Sequence, residues 1–360
     1  PFLEKYHLLI LDRLLEVFCT LKIAKYDVPL WLINKINLMY QWAVKVKIGN
    51  NLFPRFNDSP LDGSPSINTV IDFSEYVLNI NQEKKFSGLR SLFSLDDNNL
   101  FSENFGLRTE PKSKYTDLPE TGWIFLRPNK KWEFIFKCGQ PCPRNLPAHV
   151  HSDLLSFDLF YEGKPVIAEL GTSSYEKNKI RDFERSSDGH NVFQIGDINP
   201  KNNKLQWIEP VEVWGNFRAG RKANILLRDS GIENDYLYWV RGSHDGFKKM
   251  NSLHQRKIEI KIENEDNLYL TCIESIKCNK PIYWKQIWHP GPLVDFEFFK
   301  KIIDNNFSFL NAKSYTIKTW YSNKFGERTK RKSLYYVGQL NPGEYTLKSK
   351  LKLSKNIFLK

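Results

Sequence analysis

The sequence predicts an α+β protein in two parts, with helices first and antiparallel sheets after them. Three observations carry this reading. A chain of 360 residues is long for one core and fits two domains. Residues 2–21, FLEKYHLLILDRLLEVFCTL, repeat apolar side chains at helical spacing. From Gly122 onward that spacing disappears, and many short apolar runs divided by turn residues replace it, as in an antiparallel sandwich.

In the first helix, Leu3, His7, Ile10, Leu14, Val17 and Leu21 form one stripe at alternating four and three spacing. A second helix is expected in YDVPLWLINKINLMYQWAVKVKI, with Asp27 as its cap and Pro29 in its first turn. The stretch NNLFPRFNDSPLDGSPS (50–66) reads as loop, and a third helix is expected near 67–81. Three helices in series suggest part of an all-α domain over 1–83. A polar connection over 84–118 and a sheet domain over 119–360 follow.

Within the sheet domain WIFLR, WEFIFKCG, LLSFDLFYEG, KPVIAEL, HNVFQIGD, KANILLRD and YLYWVRG read as strands. RKIEIKIENEDNLYLTCIESI reads as a hairpin around an acidic turn, and IYWKQIW, YTIKTWY and SLYYVGQL follow it. Alternating lysines in the C-terminal KSKLKLSK suit the protection of an edge strand.

The composition is that of an ordinary globular protein, with 41% hydrophobic and 26% charged residues, although aromatics reach 14%. That surplus suits a sugar-binding β-fold or a plain β-core. A formal charge of +12 favours a polyanionic partner: nucleic acid, anionic membrane or acidic polysaccharide. The basic residues are dispersed, the densest run being KFGERTKRKS (324–333), so no nucleic-acid motif emerges. The five cysteines are widely spread, and the one C-x3-C pair (Cys138, Cys142) has no second pair at zinc-finger spacing. No apolar run approaches the roughly 20 residues that span a bilayer. The chain opens on Pro1 inside a helical pattern, so it is expected to be the C-terminal part of a longer protein.

Two of the seven histidines sit one residue apart in PAHVHSD (147–153). On a strand turning at Glu162-Gly163, His149 and His151 would share a face, and Glu169 on the return strand would approach them. With His190 in RSSDGHNVF, the residues His151, Glu169 and His190 make a reasonable zinc ligand set, leaving His149 for other work. The alternative is hydrogen-bonded histidines of a sheet. Asp153 is expected to stay out of the ligand set and to support the strand from its own face.

PAHVHSDLLSFDLFYEGKPVIAELGTSSYE resembles the signature of the heparinase II/III-like family of polysaccharide lyases. RSSDGHNVF, EVWGNFRAGRKA, GSHDGFKKM and HQRKIEI resemble the family's later segments in the same order. EKYHLLILDRLLEV resembles the family's toroid helix carrying a Tyr-His pair, and LFPRFNDSPLDGSPS resembles the toroid's last loop. The resemblance implies the C-terminal helices of an incomplete α/α toroid followed by a β-sandwich domain, with the active site in the cleft between. It implies β-elimination on a uronate-containing polysaccharide, with His149 and Tyr6 catalytic and Arg185 and Asn191 orienting the site toward substrate. It implies zinc on His151, Glu169 and His190, and a periplasmic or secreted location. In this family the acidic ligand is usually Asp rather than Glu, and an upstream Asn would lie before Pro1. A relative that binds or processes a bacterial surface polysaccharide without this chemistry is the alternative. His7, His244, His254 and His289 are read as packing or structural.

Overall fold

The computed structural model describes residues 4–81, 83, 86, 90, 105, 112–143, 145–308 and 312–359. The chain divides into two compact units. One runs to Pro54 and resumes over Leu61–Ser113; the other takes Arg55–Pro60 together with Lys114–Lys360. Most of the expected connection over 84–118 lies outside the described residues, but its last four residues, Tyr115–Leu118, are a strand.

In the helical unit α1 is Glu4–Ile23, α2 Leu30–Val46 and α3 Ile67–Val77. The expected stripe of α1 is displaced by one residue. Leu8, Leu11, Leu15 and Phe18 are buried, whereas Ile10 and Val17 are about half exposed. The segment LLILDRLLEVF is apolar on adjoining stripes, so spacing does not choose between them; packing does. Only His7 of the predicted set is buried among the described residues, and its Nε2 meets the Met39 carbonyl at 2.9 Å. Pro29, not Asp27, stands at the N-cap of α2 and offers no side-chain acceptor. Ser66 caps α3 by accepting from the Thr69 N–H at 3.1 Å. The helix ends at Val77, before Asn79 turns to φ 54°.

The second unit is built of antiparallel strands. In chain order they are β1 Tyr115–Leu118, β2 Trp123–Leu126, β3 Trp132–Lys137, β4 Phe157–Tyr161, β5 Lys164–Ile167, β6 Phe193–Asn199, β7 Lys204–Trp207, β8 Val211–Trp214 and β9 Arg218–Lys222. There follow β10 Ile225–Asn234, β11 Leu237–His244, β12 Ser252–Ile262, β13 Asn267–Cys278, β14 Ile282–Trp288, β15 Lys313–Tyr321, β16 Thr329–Leu340 and β17 Gly343–Ser354. The sheets run β1-β2-β3-β4-β5, β10-β11-β12-β13-β17 and β15-β16-β14-β6-β7, with β8-β9 as a separate hairpin. Leu159, Ile260 and Trp284, one from each large sheet, belong to a single apolar core. Trp123, Trp132, Trp284 and Trp288 are buried, which uses much of the aromatic surplus as plain β-core.

The β4–β5 hairpin turns at Glu162 and Gly163, both at positive φ, as the sequence predicts. At the edge of its sheet β17 exposes Lys348, Lys350 and Lys352 between buried Leu347, Leu351 and Leu353. Two short helices interrupt the strands, α4 Lys179–Arg185 and α5 Phe296–Asp304. Both are too short for periodicity to reveal.

Gly171 follows β5 at φ 81°, and a Cβ there would lie 2.2 Å from the Ser322 carbonyl oxygen and 2.8 Å from Arg55 Nη1. Arg55 donates to that same carbonyl. Gly171→Ala is therefore expected to cost roughly 2–3 kcal/mol, read as a lower urea midpoint with unchanged slope.

Candidate active site

The chain from His149 to Leu155 is not strand. His149 takes φ 60°, a left-handed conformation rare for a residue with a Cβ, so the period-two argument does not apply to it. The two imidazoles converge by a different route. His149 Nδ1 lies 3.0 Å from Asp58 Oδ2, and His151 Nε2 lies 2.8 Å from Asp58 Oδ1. Arg181, on α4, grips the same carboxylate with two nitrogens at 2.5 and 2.6 Å.

Asp58 lies in RFNDSP (55–60), a polar loop that is buried throughout. Asn57 holds this loop in place, its Oδ1 accepting from the His151 N–H at 3.2 Å and from Lys137 Nζ at 2.9 Å. Burial acts to raise the Asp58 carboxyl, but hydrogen bonds from His149, His151 and Arg181 outweigh it and hold the group well below the usual carboxylate range. Burial pushes His151 down to about 3, against the pull of Asp58, so its ring is neutral at pH 7. Six of the seven histidines are buried; the His149 side chain alone keeps substantial exposure, at 22%.

Behind this carboxylate lies a cluster with unmet polar atoms. His151 Nδ1, Asp153 Oδ1, both ring nitrogens of His190 and both carboxylate oxygens of Glu169 are buried without a hydrogen bond. One ligand atom each from His151, Asp153 and His190 lies within 4.8 Å of the others. Asp153 is thus part of the cluster and not outside the ligand set as expected; Lys137 Nζ holds its other oxygen at 2.5 Å. Glu169 Oε1 stands 3.0 Å from His190 Nδ1 without the alignment of a hydrogen bond. Burial disfavours charge on His190, yet Glu169 and Asp153 beside it prevail and raise it. Converging imidazole lone pairs and carboxylates, buried and orphaned, are the donor set a divalent cation satisfies.

The model of the heparinase II/III-like C-terminal domain matches residues 110–346. The chain belongs to the heparinase II/III-like family. Among solved structures it is similar to the heparan sulfate lyase HepC from Pedobacter heparinus, at 15% identity and a TM-score of 0.66, over 97% of this chain and 52% of that one. It is also similar to heparinase III, at 14% identity and a TM-score of 0.60, over 98% of this chain and 54% of that one. These likenesses concern the fold, and the chain spans about half the length of the structures it matches. No curated protein sequence matches.

Two residues of the family motif, Arg185 and Asn191, are buried. Arg185 is buried and donates to the carbonyls of Val150, Gly215 and Arg218 at 2.7–3.2 Å. Asn191 is buried, with its amide donating to the Phe157 carbonyl and accepting from the His289 N–H. Both side chains are thus engaged with backbone groups in the wall of the site. Tyr6 lies in the helical unit, half-buried on α1, with Lys5 Nζ 4.8 Å from its ring centre. His244 and His254 are buried in the sheet domain, where His254 meets Glu274 at 2.8 Å. His289 is buried against Ser333. Asp58 has no signal in the sequence beyond its place in the quoted loop.

Proposed function

We propose that the protein is a polysaccharide lyase that cleaves a uronate-containing polymer by β-elimination. The observation that supports it most is the tie of the partly exposed His149 to the buried Asp58, whose other oxygen holds His151. With Nδ1 engaged by Asp58, His149 works through Nε2. It takes the C5 proton of one uronate epimer or helps neutralise the uronate carboxylate. Loss of that proton makes the C4=C5 double bond and breaks the bond to the 4-oxygen, which leaves with a proton. Tyr6 is assigned the companion acid–base role, tested by Tyr6→Phe. The helices of the first unit are read as the last of an α/α toroid, and a periplasmic or secreted setting belongs to the same reading.

His151, His190 and Glu169, joined by Asp153, are proposed to hold zinc or another divalent cation. Asp58 on His151 Nε2 fixes the tautomer that leaves Nδ1 as ligand. Bound metal would supply structural charge compensation, bracing the segment that carries His149. Elemental analysis should find about one metal per chain. Exhaustive chelation should lower Tm by about 5–10 °C, the effect of losing a ligand held at ~100 times its Kd. Correctly folded protein without stoichiometric metal would remove the assignment.

A further inference from the structure

Beside His149 the β8–β9 hairpin presents a surface that the elimination chemistry leaves unused. Trp214 closes β8 and is 57% exposed. Its cross-strand partner is Arg218, and Gly220 is the next residue on that face. A Cβ on Gly220 would lie 2.4 Å from the indole Cε2 and Cζ2 and 2.8 Å from Nε1, so the ring is seated on the bare glycine Cα. Trp284 is seated on Gly338 in the same manner, but there the indole is fully buried. Over Trp214 no ring or cation lies among the described residues.

The platform is fixed from below and from the side. Val211 and Ala219 pack with Val150 and Leu154 on the hairpin's inner face. Arg181 and Arg185 donate to the Asn216 and Gly215 carbonyls at 2.8 and 2.7 Å. The His149 N–H donates to the Phe217 carbonyl at 2.8 Å, and Ala148 bridges to Arg218. Arg218 is exposed, and its guanidinium has no ion-pair partner among the described residues. A rigid, solvent-facing indole with a neighbouring cation matches a sugar that has an apolar C–H face and an anionic substituent at its edge.

We propose that Trp214 and Arg218 form a subsite for one sugar of an acidic polysaccharide, the indole stacking on the ring and the guanidinium meeting its carboxylate or sulfate. This rests on the reading of His149 as acting on such a polymer. The test uses oligosaccharides of heparan sulfate, hyaluronan and alginate, with uncharged dextran as control. In a His149→Ala background, titration calorimetry should show Trp214→Ala weakening the best binder about tenfold, equivalent to ~1.4 kcal/mol. Gly220→Ala, which pushes the indole off its seat, should weaken it similarly. Arg218→Ala should also flatten the salt dependence of binding. With His149 present, Trp214→Ala should raise KM more than it lowers kcat. Unchanged affinity in folded Trp214→Ala and Gly220→Ala variants overturns the subsite; if the protein still cleaves, the lyase reading stands. Binding that depends on Trp214 without cleavage supports the subsite and sinks the lyase reading. A protein that neither binds nor cleaves any of the three removes both.

Discussion

Replacing His149 by alanine is expected to lower cleavage of the preferred uronate polymer by about a thousandfold, the range for loss of a positioned acid–base group. The fold should survive the change. His149 is partly exposed, its backbone is held by the Phe217 carbonyl, and its left-handed φ adds only a small cost for alanine. Melting temperature should therefore stay within a few degrees while turnover collapses. Activity that persists in both His149→Ala and Tyr6→Phe would refute the assignment of the catalytic pair.

The second large effect belongs to Asp58→Asn. This change keeps the shape of the side chain but removes the charge that Arg181, itself fully buried, grips with two nitrogens. An unpaired buried guanidinium costs about 3–5 kcal/mol, so Tm should fall by roughly 10 °C. The same change also loosens the tautomers of two histidines at once. His149 loses its anionic partner at Nδ1, which should lower the rate. His151 loses the partner that reserves Nδ1 for a cation, so metal content should fall. A merely structural Asp58 would lower stability and leave the turnover and metal content of the folded fraction unchanged.

The fold was legible where local rules decide it. Periodicity located the three helices, and the Glu162-Gly163 turn and the acidic turn after β12 were read from their residues. It failed where packing chooses between equal faces, as in α1, where Leu8 and Leu15 are buried and Ile10 and Val17 are not. His149, His151 and His190 stood out because histidine is scarce, and family motifs arranged them. Asp58 did not, because it lies 91 residues before His149 and no spacing rule links a loop to so distant a segment. Asp153 escapes the sequence reading for a different reason: the motif assigns the acidic ligand to Glu169, and nothing in it marks a second carboxylate beside His151 and His190. The roles of Arg185 and Asn191 depended on burial, which a motif does not show.

The most direct measurement incubates folded, metal-analysed protein with heparan sulfate, hyaluronan and alginate and follows ultraviolet absorbance alongside chain length. The expected result is one unsaturated uronate end for every bond broken, lost in His149→Ala. Chain shortening without unsaturated ends, or no cleavage of any uronate polymer, would contradict it.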